Sequence, residues 1–208
     1  MQNNESLINL LINQGYLQSP EIIQAFKKVD RLDFIKPEMF NEAYENHPLP
    51  IGNGQTISQP ATVALMLELL QVKKGDKVLD VGSGSGWQIA LLAELAGKRG
   101  KVIGLEVKDE LIEFAKENLL KYQYQNIKII KGDGWQGLSK QAPFDKIIVA
   151  AAANEIPLAL KIQLKVGGRL VIPVGGGIQD IVVIDKLSQN KFQQQNFPGF
   201  VFVPLIKD

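Results

Sequence analysis

The sequence predicts an α/β fold in which a mostly parallel sheet carries helices on both faces. From Lys77 to about Ala152, short runs rich in valine and isoleucine alternate with helix-length segments. Such alternation is typical of parallel strands joined by crossover helices. Beyond residue 166, three further apolar runs follow without helix-length spacers, which predicts that the sheet ends in antiparallel strands.

A helical layer is expected before the sheet. Leu7, Leu10 and Leu11 stand at helical spacing in the first segment, as on an amphipathic helix. The second segment has Ser19 as a candidate cap and Pro20 at the first helical position, which is a common helix start.

The uncharged stretch "PLPIGNGQTISQP", residues 48–60, separates this layer from the sheet. Proline fixes the backbone angle φ and glycine permits backbone shapes that other residues avoid. We therefore expect a loop that keeps a defined shape, followed by a helix from about Ala61 to Leu70.

The remaining elements follow in order. Strands are predicted in "KVLDVG", "KVIGLE", "NIKIIKG" and "DKIIVAA". The helices between and after them are predicted at Trp87–Ala96, Asp109–Lys121 and Ile156–Leu164, with Asp109 as a cap. The final strands are predicted in "GGRLVIPVG", "DIVVIDKL" and "FVFVPL". We expect one domain over residues 1–208, with N-terminal helices and the uncharged loop in 1–60 and the α/β core in 61–208.

Composition narrows the classes of function. The formal net charge is +1 and the basic residues are scattered, so nucleic acid is not an expected partner. The chain has no cysteine and one histidine, His47, which excludes thiol catalysis, and we expect no metal site. His47 is expected to have a surface or structural role rather than a catalytic one. The N-terminus lacks a signal-peptide pattern and no apolar run is long enough to cross a membrane, so we expect a cytoplasmic protein.

A glycine-rich turn follows the first predicted strand of the core. In a doubly wound sheet this is where a ligand lies, and Gly82, Gly84 and Gly86 would let the backbone approach it closely. A dinucleotide fingerprint, G-x-G-x-x-G, would require glycine where Trp87 stands. The alternative is a tight turn without a ligand.

Two acidic residues follow successive strands of the core. Asp80 precedes the glycine turn, where a pyrophosphate would be repelled and a cationic ligand attracted. Glu106 ends the next strand, where an acid commonly binds ribose hydroxyls. Alternatively, each is a solvated carboxylate at a strand end. Together they suit a ligand that carries both an adenosine and a positive centre, as S-adenosylmethionine does.

The segment "VLDVGSGSG…GLE" resembles the cofactor motif of the S-adenosylmethionine-dependent methyltransferases, and "KGDGWQG" resembles their adenine-contacting loop. The resemblance implies a Rossmann-like sheet and S-adenosyl-L-methionine as cofactor. The cofactor-binding residues that it implies here are Asp80, Gly82, Ser83, Gly84, Ser85, Gly86, Glu106, Asp133 and Gly134.

From about Arg31 to Leu205, the chain resembles the protein-L-isoaspartate O-methyltransferases, and "GQTISQP" is the most specific part of this match. The resemblance implies methyl transfer from S-adenosylmethionine to the free α-carboxylate of an L-isoaspartyl residue. The resulting ester collapses to a succinimide, which starts the repair of damaged proteins. The residues implied are Ser58 as the active-site residue, Thr56 and Ile57 at the cofactor, and Ile57, Gln59, Ala151, Ala152 and Ala153 at the substrate.

The chemistry of the substrate agrees with this implication. A carboxylate is ionised at neutral pH and needs no general base, so that alignment is the main requirement. Ser58 could donate a hydrogen bond to it, or could instead cap the following helix. Isoaspartyl peptides and proteins are the expected partners, and the chain is expected to be a monomer. Rival functions are methyl transfer to a small molecule or RNA, and a non-catalytic module that binds the cofactor.

Overall fold

The computed structural model describes residues 3–207. Its α-helices are α1 (Asn4–Asn13), α2 (Pro20–Lys28), α3 (Pro60–Leu70), α4 (Trp87–Ala96), α5 (Asp109–Leu119) and α6 (Leu158–Gln163). Its strands are β1 (Leu49–Gly52), β2 (Gln55–Ile57), β3 (Lys77–Val81), β4 (Lys101–Glu106), β5 (Ile127–Lys131), β6 (Phe144–Val149), β7 (Leu164–Gly175), β8 (Gln179–Lys186) and β9 (Phe192–Phe200).

Seven strands form one sheet in the order β5-β4-β3-β6-β7-β8-β9 within the described residues. The pairs from β5 to β7 are parallel, whereas β7 pairs with β8 and β8 with β9 in antiparallel fashion. The predicted α/β class and its antiparallel end are confirmed. The strand order reverses between β3 and β6, and open α/β sheets bind ligands beyond the carboxyl ends of the strands at such a point.

The central strands are buried on both faces, which explains their nearly continuous apolar sequences. In β3 the four residues from Val78 to Val81 are buried, and α4 is buried over almost its whole surface. The N-terminal helices cover α4 from outside, where the Phe26 ring meets the Trp87 ring edge-on at 5.5 Å. The start of α4, beside the glycine turn, is therefore packed between the sheet and the N-terminal helices.

Most helix predictions agree closely with the structure. The prediction for α4 matches both of its ends, and α3 begins one residue earlier than expected. The helix expected over 156–164 is shorter, because Pro157 stands at its N-cap and chain residues from Leu164 onward join the sheet. Asp109 is the first residue of α5 rather than its cap. Ser19 precedes α2 without a side-chain cap bond, since its hydroxyl donates to Glu68 at 2.5 Å.

Residues 49–57 of the uncharged stretch 48–60 form a β-hairpin, whose two strands were not predicted within the expected loop. Strands β1 and β2 pair in antiparallel fashion, and Asn53 and Gly54 connect them with φ of +53° and +70°. Positive φ at both turn residues is what a two-residue hairpin of type I′ requires, and Asn-Gly is its commonest sequence. The hairpin gives this stretch the defined shape that its composition predicted.

The last predicted strand, "FVFVPL", was also placed wrongly. Strand β9 ends at Phe200, and the chain then leaves the sheet edge as an extended segment. This segment crosses to the end of β6, where Ala152 N–H donates to the Val203 carbonyl and Leu205 N–H donates to the Ala152 carbonyl. Because these bonds stand alone rather than in a ladder, the segment is extended without being a strand.

None of the helices formed by residues 3–207 has both the length and the hydropathy that crossing a bilayer requires.

Candidate active site

A cleft opens beyond the carboxyl ends of β3, β4 and β6. Three parts of the chain line it besides the strand ends: the hairpin with the residue after it, the glycine turn and the C-terminal extended segment. The residues that line it include Gln55, Thr56, Ile57, Ser58, Gly82, Ser83, Gly84, Ser85, Trp87, Gln88, Glu106, Gly132, Gly134, Ala150, Ala151, Val203, Pro204, Leu205 and Ile206. A concave lining of apolar residues with a few polar groups is typical of small-ligand sites.

The glycine turn, residues 82–86, follows β3 and lines one part of this cleft. Gly82, Gly84 and Gly86 have φ of +81°, +52° and +92°, a region that side chains with a Cβ rarely adopt. Gly86 is also the N-cap of α4 and has no side chain that could cover the first helical N–H groups. A helix start of this kind offers free backbone donors to a ligand.

The Glu106 carboxylate braces the turn from the neighbouring strand. Its Oε2 accepts a hydrogen bond from Gly84 N–H at 3.0 Å, while Oε1 accepts from Val107 N–H at 2.9 Å and Lys108 N–H at 3.1 Å. Its side chain is nearly buried and lines the cleft. The sequence predicted that Glu106 contacts ribose. It did not predict that the carboxylate also holds the glycine turn, because the N–H donors lie in two separate loops.

Asp80 lies beneath the turn and is fully buried. Gln88 Nε2 donates to its Oδ1 at 2.6 Å, whereas Oδ2 has no hydrogen-bond partner among the described residues. Burial raises the pKa of Asp80 to about 7, and the charge of Glu106 adds to this rise against the Gln88 hydrogen bond. An unpaired buried carboxylate oxygen is costly, and a cationic ligand close to it would offset that cost.

The cleft is acidic overall. Among the described residues that line it, Glu106 is the one that carries a formal charge, and Asp80 adds a second carboxyl group just below the surface. Among the described residues, neither a cationic side chain nor a histidine lines this cleft, and the Glu106 carboxylate is already engaged by three backbone N–H groups. Its composition suits a ligand with a positive centre and a nucleophile that is already ionised.

Ser58 follows the hairpin and faces the cleft. In the described part of the chain its hydroxyl has no hydrogen-bond partner, and its carbonyl accepts a bond from Arg31 Nη2 at 3.3 Å. Helix α3 has Gln59 as its N-cap, without a side-chain cap bond. The interpretation of Ser58 as a helix cap is therefore wrong, and its hydroxyl is available to a ligand.

His47 lies before the hairpin and is half exposed. Its Nε2 is 3.0 Å from Glu45 Oε2 and 3.4 Å from Glu42 Oε2, and its Nδ1 is 3.0 Å from the Pro48 carbonyl oxygen. It does not line the cleft. These contacts agree with the structural role that the sequence predicted for it.

The structure brings most of the predicted site residues to one cleft but leaves some outside its lining. Asp133 Oδ1 accepts from Trp135 N–H at 2.8 Å, and only its neighbours Gly132 and Gly134 line the cleft. The side chain of Gln59 donates to the Asn46 carbonyl at 2.9 Å. Asp80 and Gly86 lie under the lining, and Ala152 and Ala153 bridge to neighbouring backbone instead.

Sequence reasoning did not place the C-terminal segment at the site. The cleft is also lined by Val203, Pro204, Leu205 and Ile206. No local motif marks them as ligand contacts, because the long-range bonds to Ala152 bring them there. The hairpin, in contrast, had a readable signal in the dipeptide Asn53-Gly54.

Comparisons with known proteins agree with this geometry. Residues 2–208 match the model of the family described as protein-L-isoaspartate(D-aspartate) O-methyltransferase. A protein-L-isoaspartate O-methyltransferase of Methanothrix thermoacetophila is 47% identical over 90% of this chain and 89% of its own. One from Ignicoccus hospitalis is 45% identical over 100% of this chain and 99% of its own.

The similarity to one solved structure covers the whole fold. The crystal structure of a Plasmodium falciparum protein described as a protein-L-isoaspartate O-methyltransferase, in complex with S-adenosyl-L-homocysteine, superposes with a TM-score of 0.90 at 30% identity. The match covers 100% of both chains. With the family model spanning nearly every residue, the chain belongs to the protein-L-isoaspartate(D-aspartate) O-methyltransferase family.

Proposed function

We propose that this protein transfers a methyl group from S-adenosyl-L-methionine to the free α-carboxylate of L-isoaspartyl residues in damaged proteins. The proposal rests mainly on two features that line the same cleft. One is the glycine turn with its acidic residue Glu106, and the other is the Ser58 hydroxyl, which has no hydrogen-bond partner in residues 3–207. The turn suits a cationic cofactor and the serine suits a carboxylate. Family membership supports the same activity.

The residues of the turn fit the cofactor. The unpartnered Oδ2 of buried Asp80 favours a nearby positive group, and the glycines leave room for a ligand against the backbone. We assign Glu106 to the ribose hydroxyls, since three backbone bonds leave about one acceptor site of the carboxylate free, on Oε2. The loop at Asp133 and Gly134 is assigned to adenine, and Thr56 and Ile57 to the opposite side of the cofactor.

When bound, S-adenosylmethionine supplies a methyl group on a positive sulfur, and S-adenosylhomocysteine remains after transfer. The chain's own task is to align the substrate carboxylate with that methyl group. The Ser58 hydroxyl donates one hydrogen bond to the carboxylate without protonating it. Ile57 and Ala151 line the cleft and are assigned to contact the peptide, with Gln59, Ala152 and Ala153 behind that lining. Alignment of this kind can lower a barrier by several kcal/mol, about 7–11 at best.

The proposed product predicts a characteristic time course. An isoaspartyl peptide incubated with the protein and excess S-adenosylmethionine should first gain a methyl ester, then lose methanol to give a succinimide, and finally yield some normal aspartyl peptide. Chromatography coupled to mass spectrometry would follow all four species. A stable methylated product without a succinimide would mean that another group is methylated and would contradict the proposal.

Replacing Ser58 by alanine should lower turnover and leave cofactor affinity unchanged. A hydrogen bond to a charged group is worth about 1.5–3 kcal/mol, so we expect kcat/KM for the isoaspartyl peptide to fall by roughly ten- to a hundredfold. Ser139, which is exposed on a short 3₁₀ turn, gives the control variant Ser139→Ala. An equal loss of S-adenosylmethionine affinity in a calorimetric titration would instead place Ser58 at the cofactor.

A further inference from the structure

Arg31 is a buried cation without an acidic partner. Its side chain is 0% exposed, and within the described residues it forms no ion pair. Burial lowers the pKa of Arg31 to about 10, so the guanidinium still carries its charge at neutral pH. A buried charge that no carboxylate balances is expensive, which makes its actual contacts informative.

The guanidinium instead donates to four carbonyl oxygens from two separate segments. Nη1 donates to Ala43 at 2.8 Å and to Glu45 at 3.1 Å, and Nη2 donates to His47 at 2.8 Å and to Ser58 at 3.3 Å. The first three belong to the approach to the hairpin and the fourth is the proposed active-site residue. The planar guanidinium therefore ties both ends of the hairpin together.

The same group also lies over the ring of Trp87, with Arg31 Cζ 5.6 Å from the ring centroid. Trp87 is the first residue of α4, directly after Gly86, and its ring is packed between the N-terminal helices and the cleft. A cation over a tryptophan face is attracted to it, more so when both are desolvated. Arg31 thus touches the substrate side and the cofactor side of the cleft at once.

We propose that Arg31 is a positioning residue for methyl transfer, whose guanidinium fixes the backbone at Ser58 relative to the start of α4. It acts through Ser58 and Trp87 and does not line the cleft itself. The proposal rests on the proposed function, because Ser58 must act on the substrate for its position to affect turnover. Only a planar group with donors on both terminal nitrogens can satisfy these four carbonyls and stack on the ring.

The test compares Arg31→Lys with Arg169→Lys. Arg169 is a comparable control, since 19% of its side chain is exposed and it also donates to a carbonyl, that of Leu69. Unlike Arg31, it pairs with an acid, Asp185, in the antiparallel part of the sheet. Lysine keeps the charge in both variants and loses the bidentate geometry. We measure kcat and KM for an isoaspartyl peptide, the affinity for S-adenosylhomocysteine by calorimetry, and amide hydrogen exchange over residues 56–59.

For Arg31→Lys we expect kcat/KM to fall at least tenfold, the S-adenosylhomocysteine affinity to change less than threefold, and the amides of residues 56–59 to exchange faster. Arg169→Lys should lose thermal stability without these effects. Arg31→Gln, which removes the buried charge, should reproduce the faster exchange at 56–59.

Unchanged exchange at 56–59, or an unchanged kcat/KM in folded Arg31→Lys, would overturn the proposal. If neither variant at position 31 folds, Arg31 serves the fold and the proposal is equally overturned. A wild-type protein that methylates no isoaspartyl peptide would contradict the proposed function instead, and the exchange at 56–59 would still decide whether Arg31 fixes this segment.

Discussion

Replacing Glu106 by glutamine is expected to weaken S-adenosylmethionine binding by about 1.5–3 kcal/mol, the worth of hydrogen bonds to a charged group. This corresponds to a rise in Kd of roughly ten- to a hundredfold. The carboxylate accepts three backbone N–H bonds, and one of them comes from Gly84 in the cofactor turn. A glutamine has one oxygen and one NH₂ group, so at least one of these N–H donors would face another donor.

Calorimetric titration of the two variants Glu106→Gln and Glu113→Gln would check this expectation. Glu113 is exposed on α5 and pairs with Lys116, so its replacement removes the same charge far from the turn. We expect its cofactor affinity to match the wild type within about twofold. An affinity of Glu106→Gln as high as that of the control would show that neither the turn nor the ribose depends on this carboxylate.

Replacing Asp80 by asparagine is expected to stabilise the unliganded protein at neutral and alkaline pH. Burial raises the pKa of Asp80 to about 7 from an ordinary value of 3.8. Well below pH 3.8 the carboxyl is protonated in both the folded and unfolded states, so its ionisation contributes nothing to stability. Between pH 4 and 7 only the unfolded state ionises, and the folded state loses stability progressively.

The loss of folding stability reaches a plateau above pH 7. There it amounts to at most about 4 kcal/mol for a rise in pKa of this size. The free energy of unfolding of Asp80→Asn should therefore exceed that of wild type at pH 8 and nearly equal it at pH 4. Denaturant titrations across this range would measure the difference. In contrast, we expect S-adenosylmethionine to bind the variant more weakly, because the negative charge under the turn is gone.

Asp145→Asn provides a control of opposite sign. Although partial burial opposes the effect, the hydrogen bonds from Lys165 and from the Lys77 backbone keep the pKa of Asp145 below its usual range. Its contribution to stability is present above the unfolded pKa and is lost as pH falls through the folded pKa. This variant should be less stable than wild type at pH 8. If the difference in the free energy of unfolding between Asp80→Asn and wild type did not change with pH, a raised pKa of the buried Asp80 carboxyl would be contradicted.

The sequence predicted the core of the fold because its signals there are local. The apolar runs and the glycine turn at Gly82 identify β3 and α4, and the ends of α4 follow from its own pattern. Asp80 and Glu106 could be placed near one ligand because the carboxyl ends of parallel strands meet at one edge of a sheet. That both would be buried rather than solvated could not be predicted, since burial depends on packing from other elements.

The parts that escaped prediction depend on contacts distant in sequence. The segment from Val203 to Ile206 reaches the cleft through its bonds to Ala152, which lies far away in the chain. The four carbonyl contacts of Arg31 bring together residues that no motif links. Asn53-Gly54 is different, because this dipeptide indicates a hairpin from sequence alone.

The most direct test of the account uses two synthetic peptides that differ only in one linkage, isoaspartyl in one and normal aspartyl in the other. Each is incubated with the protein and S-adenosylmethionine that carries a labelled methyl group, and the label in the peptide is counted. We expect label in the isoaspartyl peptide and none above background in its aspartyl twin. Equal labelling of both peptides, or of neither, would contradict the account.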